Sequence, residues 1–441
     1  MAKRNLGLGK SRFKKQKIEN EDSTEVNKSE QDKEQLLTVE LANEVNPDDP
    51  LSQLCGLWQT WRDGDRNNEL ILNGIINECD RILRNCVENG GNEEIKLNDN
   101  FYSIYAQSLS DIAKFKPDNE VKEWIENAFE RIDEGFNKFG NDNIRLKFSK
   151  CNIILNRIAI EFVGQMNIDS KKDEFKGLNE LFEEFINIWE SNVKECEKRE
   201  DLSIFKEEWI LEILNIFDDL LDIIDKFGNK MSEVVDSDDE GEELEEAIEY
   251  ETSKKGDKNI QNVLEEEDFQ LSEDHPLYEI QHQDSYNIFW RDNMLKYREL
   301  MGEDADAKIK RSVYEKLGQS YLMEAEEPIA FFNSYQYDRE EDDNEEDEDE
   351  EMKEMVENAR KEGLKLVNEA VNCLRKANDE EDPKTWANIA EALITYANLL
   401  ELESEEQENN YKEAEKLLRR ANNATHGHYE DILNSLVKPD A

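Results

Sequence analysis

From Leu51 onward, apolar residues recur at spacings of three and four, the period of a helix with one buried face. Leu51, Leu54, Leu57, Trp58 and Trp61 form the first stripe, which Asp63-Gly64-Asp65 breaks. A second joins Leu72, Ile75, Ile76, Cys79, Ile82, Leu83 and Cys86 and runs out toward Gly90-Gly91. Phe101, Ile104, Tyr105 and Ile112 make a third. A fourth, Val121/Trp124/Ile125/Ala128/Phe129/Ile132/Phe136, stops at Gly140. The pattern predicts another helix over roughly 144–162. Two long ones follow, carrying Leu178/Leu181/Phe182/Phe185/Trp189 and Trp209/Ile210/Ile213/Phe217/Leu220/Leu221/Ile224, the second ending at Gly228. Helical patterning resumes near Tyr286 and continues to about Leu436. No segment alternates apolar and polar residues between turn signals as a half-buried strand does. The expected fold class is all-α.

Acidic segments interrupt the pattern. Residues 231–275 read as a linker, rich in acid around Asp236–Glu240, and in Glu340–Glu351 every residue but Asn344 is Asp or Glu. Such a block repels itself and does not fold alone. The chain therefore divides into a basic, then polar and disordered, segment (1–48), an N-terminal helical array (49–230), the acidic linker (231–275) and a C-terminal array (276–437) interrupted by an acidic loop at 338–352. The C-terminal array carries a repeat. Tyr314, Leu317, Gly318 and Tyr321 match the first helix of a tetratricopeptide unit, and Ala370, Leu374 and Ala377 match its second. Trp386, Ile389, Ala390 and Leu393, then Tyr411, Ala414, Leu418 and Ala421, give another copy. Gly318 and Ala390 are small enough to let paired helices approach closely, and Asp382-Pro383 ends the preceding helix. These features predict a helical-hairpin solenoid with tetratricopeptide-like repeats in its C-terminal half.

Charge then narrows the function. Against 55 Lys and Arg stand 108 Asp and Glu, a net charge of −53 over 441 residues. The first 17 residues hold seven Lys and Arg and no acid, so the remainder sums to −60. A body so acidic repels phosphate, which disfavours direct DNA binding. On the basic head, Lys10, Arg12, Lys14, Lys15 and Lys17 suit a nuclear import signal read by an import receptor. The head lacks the apolar stretch of a secretory signal, and no run approaches the ~18 apolar residues of a membrane span. The expected location is the nucleus, with shuttling to the cytoplasm open. Ser237, followed by Asp238-Asp239-Glu240, is a candidate phosphorylation site. Six scattered cysteines with no CxxC pair read as reduced core residues. The seven tryptophans read as core more than as groove.

Catalytic chemistry is sparse. Only His275, His282, His426 and His428 are present, and no HExxH occurs. His282-Gln283-Asp284 matches two ligands of an iron facial triad by spacing, but that site normally sits on a β-barrel. Gly7-Leu-Gly9-Lys10-Ser11 has Arg4 where a phosphate-binding loop needs glycine, so no such loop is expected. No catalytic, cofactor or metal residues are expected, and the chain reads as a non-enzyme.

Several segments together resemble the fungal enhancer of translation termination family: KRNLGLGKS at 3–11, ELILNGIINECDRILR at 69–84, EDHPLYEIQ at 273–281 and AEEPIAFFNSYQYD at 325–338. EDPKTWANIAEALITYANLL at 381–400 and ATHGHYEDILNSL at 424–436 complete the set. The family includes a negative regulator of a prolyl-hydroxylase-like dioxygenase. The resemblance implies a nuclear all-helical adaptor that binds such an iron- and 2-oxoglutarate-dependent enzyme, supports accurate stop-codon reading and modulates hypoxic gene expression. It assigns no partner-binding residues. The first-helix face of the two C-terminal repeats, around Tyr314, Tyr321, Trp386 and Tyr396, is the candidate contact surface, with a core role the competing reading for Trp386 and Tyr314. The alternative function is an acidic nuclear histone chaperone or escort of basic proteins, in which the acidic loop would be the binding element.

Overall fold

A computed structural model describes residues 49–88, 96–228, 271–283, 285–337 and 350–436, together with 3–5, 38–40 and 46. Among them are fourteen α-helices and one short ladder, Lys3–Asn5 antiparallel to Thr38–Glu40 with Lys3 opposite Glu40. Three residues per strand are too few to show alternation, so the sequence gives no sign of that ladder. The fold class is all-α. The import-signal residues Lys10, Arg12, Lys14, Lys15 and Lys17, Ser237 and the acidic run 340–349 lie outside the described residues.

The chain forms two compact units: Met1–Glu200 with Asp222–His282, and Asp201–Leu221 with Gln283–Ala441. The first holds α1 (Pro50–Asp63), α2 (Glu69–Glu88), α3 (Asp99–Ile112), α4 (Asp118–Phe139), α5 (Ile144–Arg157) and α6 (Leu178–Arg199). Helix α7 (Glu208–Asp225) runs across the division, and α8 (Tyr278–Gln281) closes the first unit. Local chemistry sets the helix starts. The Asp49 carboxylate accepts the Leu51 N–H at 3.1 Å while Pro50 fills a position needing no amide hydrogen. Asn98 and Asn143 likewise accept from Phe101 (2.9 Å) and Leu146 (3.0 Å). Helix α4 ends at Gly140, whose φ of 93° is open to glycine and strained for other residues. The helix expected over 144–162 is α-helical only to Arg157; a wider π turn, Ile158–Phe162, follows and is spanned by an Arg157–Glu161 ion pair at 2.8 Å.

Every residue of α3 from Phe101 to Ser110 is buried. Helix α4 packs antiparallel to it, and the Lys138 ammonium reaches the Tyr102 hydroxyl. Gly135 permits this closeness, since a Cβ there would stand 3.1 Å from Tyr102 Cβ of α3 and 2.9 Å from Leu146 Cδ1 of α5. Helix α5 runs parallel to α3 along a polar seam. Ser103 and Ser149 hydroxyls meet at 2.7 Å, and Gln107 Nε2 donates to Ser103 Oγ at 2.9 Å. Farther along, Asn156 Nδ2 donates at 3.0 Å both to Ser110 Oγ and to Asp111 Oδ1. Trp61 Nε1 donates to the other Asp111 oxygen at 3.0 Å and so ties α1 into the seam. Buried polar groups are tolerated where each finds a partner, as these do. Helix α6 returns antiparallel to α5, with Asn192 Nδ2 on the Ile144 carbonyl (3.0 Å) and Lys150 on Glu184 (2.6 Å).

Packing of the first unit resumes at Leu271, inside the segment read from sequence as linker. Leu271, His275, Leu277 and Ile280 are all buried. The Leu277 N–H donates to His275 Nδ1 at 3.1 Å, which leaves Nε2 to carry the proton toward the Asn167 carbonyl, also at 3.1 Å.

In the second unit the helices are α9 (Ser285–Leu300), α10 (Ala307–Tyr337), α11 (Glu350–Ala377), α12 (Pro383–Asn398), α13 (Glu405–Ala424) and α14 (Glu430–Leu436). Residues 201–221 belong here. Tyr297 donates to the Phe205 carbonyl at 2.7 Å, Trp290 Nε1 to the Leu214 carbonyl at 2.9 Å, and Phe217 meets Phe289 edge to face. Helices α10 and α11 form an antiparallel pair in which Gly318 faces Leu374 and Gly363 faces Ile329. Asp382 caps α12 and Pro383 occupies its first position, as the sequence implies. Helices α12 and α13 are also antiparallel, with the buried Gln407 amide donating to the Ala397 carbonyl at 3.0 Å. Ala390, Ala414 and Ala421 are fully buried along these helices.

Candidate functional site

The four aromatic residues of the expected contact face fall into two pairs on different neighbours. Tyr314 and Tyr321 lie two turns apart on α10, both half-buried. The Lys376 ammonium of α11 sits 5.1 Å from the Tyr314 ring centre. Burial, with Cys373 and Glu369 of α11 nearby, pushes the Tyr321 hydroxyl above its ordinary pKa. Trp386 and Tyr396 on α12 turn instead toward α13. Trp386 is only 6% exposed; its Nε1 donates to the Asp379 carbonyl at 2.8 Å and the Arg420 guanidinium lies 3.7 Å from the ring centre. It is a core residue. Tyr396 is half-buried and its hydroxyl lies 3.5 Å from Glu406; burial first, then that carboxylate, raises its pKa. Of the seven tryptophans, Trp61, Trp189, Trp209, Trp290 and Trp386 are buried, whereas Trp58 and Trp124 are half-buried.

Among the described residues, no group of three or more His, Cys, Asp or Glu is placed to hold a metal ion. His282 turns its Nδ1 back to the Tyr278 carbonyl at 2.8 Å and stacks on that ring, while Asp284 lies outside the described residues. His426 and Gly427 take positive φ in the turn that closes α13. Four cysteines are buried; Cys55 is exposed, and its thiol accepts from Asn100 Nδ2 at 3.3 Å. The core reading therefore fails for Cys55, which faces off the stripe of Leu54, Leu57 and Trp61.

Two open concavities differ in charge. The first unit has one of ≈ 570 Å³ lined by Leu83, Arg84, Tyr102, Arg131, Glu134, Asn137 and Lys138. The second unit has one of ≈ 860 Å³ between the C-terminal half of α10 and the N-terminal half of α11, lined by Glu324, Glu327, Pro328, Ala330, Phe331, Ser334, Met355, Asn358, Ala359 and Glu362. Sequence reasoning missed this groove because its apolar residues fall outside the repeat stripe. The available signal was the adjacent pair Phe331-Phe332, of which only Phe332 continues the inward spacing of Ala325 and Ile329.

The family profile described as nuclear pore complex subunit Nro1 matches residues 1–437. The chain is 38% identical to "Enhancer of translation termination 1" of Debaryomyces hansenii, covering 98% of this chain and 99% of that protein. It is 39% identical to the protein of that name from Meyerozyma guilliermondii, over 100% of this chain and 99% of the relative. A Candida albicans protein of the same name is also 39% identical, over 99% of this chain and 100% of its own length. These names support a nuclear location and a role in translation termination, in a family known for regulation and not for catalysis. No helix of the described residues is long and apolar enough to cross a membrane. Matched from end to end, the chain belongs to the Nro1 family, to which these enhancers of translation termination are its similar relatives.

Proposed function

We propose that the chain is a non-enzymatic nuclear adaptor that supports accurate translation termination by holding one protein partner on its helices. The end-to-end likeness to proteins named as enhancers of translation termination is the observation that carries this reading. In it, the partner is a prolyl-hydroxylase-like 2-oxoglutarate dioxygenase, through which the chain also modulates hypoxic gene expression. The basic residues Lys10, Arg12, Lys14, Lys15 and Lys17 engage an import receptor, and Ser237 is a phosphorylation site. The arrays 49–230 and 276–437 act as scaffold, the latter as tetratricopeptide-like repeats. On the contact face, Tyr396 and Tyr321 are the residues with surface to offer, while Trp386 supports the helix beneath. Affinity purification from nuclear extract at low and high salt, read by mass spectrometry, tests this. A dioxygenase retained at high salt supports the adaptor, because a packed apolar interface is weakly screened; its absence at both salts defeats the proposal.

A second reading, escort of histones or other basic proteins, is favoured by one observation: ten of the twelve residues at 338–349 are acidic. Deleting Glu340–Glu351 separates the two. An escort loses its basic cargo, whereas the dioxygenase adaptor keeps its partner.

A further inference from the structure

Residues that face away from a helical core are ordinarily polar, yet the tip of the α10–α11 hairpin shows the reverse. Ala325, Ile329 and Phe332 follow the spacing of an inward stripe; Ala325 and Phe332 belong to the second unit's core and Ile329 packs against it half-buried. On the outer side of the same helices, Met323 (60% exposed), Phe331 (36%), Met352 (40%) and Met355 (51%) remain in solvent. Among the described residues, Phe331, Met352 and Met355 thus lie toward the hairpin tip, and Met323 lies at the middle of α10. Phe331 and Met355 share a groove of ≈ 860 Å³ whose lining includes Pro328, Ala330 and Ala359 but no Lys or Arg. Glu324, Glu327 and Glu362 form its charged margin. Arg291 pairs with Glu324, which leaves two of these carboxylates beyond that pairing.

We propose that this groove docks an amphipathic, Lys/Arg-rich α-helix of a protein partner. Two antiparallel helices leave a furrow along their shared side, and a third helix fills it with residues at i, i+3, i+4 and i+7. Met323 to Ser334 spans about three turns, roughly 16 Å at 1.5 Å per residue, which sets the length of helix that fits. Methionines suit such a surface because their unbranched side chains adapt to the incoming shape. The acidic margin selects a basic flank on that helix and speeds its encounter. Pro328, inside α10, has no N–H to give the Glu324 carbonyl, and both residues line the groove. The inference deepens the adaptor reading and rests on it, naming the chemistry of a partner segment.

The test uses the full chain and a labelled peptide of about three turns, with leucines at i, i+3, i+4 and i+7 and lysines elsewhere. A peptide of the same composition, scrambled so that leucines point all round, is the control. Binding is read by fluorescence anisotropy and peptide helicity by circular dichroism. The amphipathic peptide should bind and gain helicity, with the scrambled one about tenfold weaker; Phe331→Asp and Met355→Asp should each weaken the amphipathic peptide about tenfold or more. Equal binding of both peptides, or unchanged binding by both variants, overturns the proposal. So does a wild-type dimer that the variants dissolve, which would make a second copy the occupant, or binding that appears only once residues 1–17 are deleted, which would make the basic head the occupant. Extract purification with the same variants keeps the two readings apart. Loss of the peptide with the extract partner retained defeats the groove as the partner's seat and spares the adaptor. No partner even for wild type defeats the adaptor itself.

Discussion

The α3–α5 seam of the first unit and the α10–α11 seam of the second both bring helices close by keeping side chains small. They close differently. Between α3 and α5 the small residues are serines, and their hydroxyls are consumed by one another, by Gln107 and by Asn156. Since α3 is covered by α4 as well as α5, every residue along Phe101–Ser110 is buried. Between α10 and α11 the close point is Gly318, against Leu374 and the Ala370 carbonyl, and it contains no polar partner to satisfy. That seam is sealed at its base and open at its tip, where Phe331 and Met355 stay exposed. A polar seam needs every member matched and so fixes one arrangement. An apolar one tolerates an unfinished end, and an unfinished apolar end is what a binding surface requires.

The sharpest way to break the comparison is Gly318→Val. A Cβ there stands 2.7 Å from Leu374 Cγ, and Leu374 is itself core at 2% exposure with little room to shift. Overpacking of this kind costs about 1–3 kcal/mol, against a helix-propensity gain of under ~1 kcal/mol. Thermal unfolding should show the second unit's transition lowered by several degrees. An unchanged transition would mean the α10–α11 contact is looser than the distances say. Gly74 on α2 provides the contrast, because a Cβ there meets nothing within 4 Å. Gly74→Ala should therefore stabilise, by up to ~1 kcal/mol.

In the polar seam the corresponding change is Asp111→Ala. It strands the donor of Trp61, which is 1% exposed with no route to water, and leaves Asn156 with only its Ser110 contact. A stranded buried donor costs about 1–3 kcal/mol, reduced here by removal of a carboxylate that burial disfavours. We expect about 1–2 kcal/mol in denaturant titration. Burial holds the Asp111 pKa above its ordinary value, against the opposing pull of Trp61, Arg66, Lys114 and Asn156. The folded chain thus binds this proton more tightly than the unfolded chain. Its contribution is full below the ordinary carboxylate range and is lost as pH rises toward the folded value. Asp111→Asn should flatten stability against pH in that window, and an unaltered slope would place the titration elsewhere.

These contrasts also show what the sequence made legible. The stripes on α1, α2 and α4 to α7 were readable because each helix buries an apolar face at the helical period, whereas α3 is buried all round and its stripe showed only its apolar part. On α4, Val121, Ile125, Ala128 and Ile132 are fully buried, while Trp124, Phe129 and Phe136, in the same stripe, are half-buried flanks. The close approach at Gly318 was legible because glycine in a helical stripe has few other uses. Packing of Leu271–Ile280 was not, since a short irregular segment has no period to read. The groove was not legible either: α10 carries apolar residues on two faces, and two overlapping stripes cancel as a periodic signal. The aromatic contact face was readable only as residue type. Whether Trp386 points outward depends on Asp379 and Arg420, which are not themselves positions of the repeat pattern.

The smallest effect on stability should come from the residues of greatest interest. Phe331→Asp and Met355→Asp replace side chains that solvent already reaches, so each should change folding stability by no more than about 0.5 kcal/mol. That expectation separates an unfinished surface from a weak core. If Phe331 were holding the hairpin tip together, its replacement would lower the second unit's unfolding transition as Gly318→Val does. If it is a docking residue, the transition stays and only binding falls. The acidic margin sharpens this further, because a third carboxylate beside Glu324 and Glu327 adds repulsion that salt should relieve. A small loss for Phe331→Asp that disappears at high salt would be charge crowding at an open groove. A loss that persists at high salt would be lost packing.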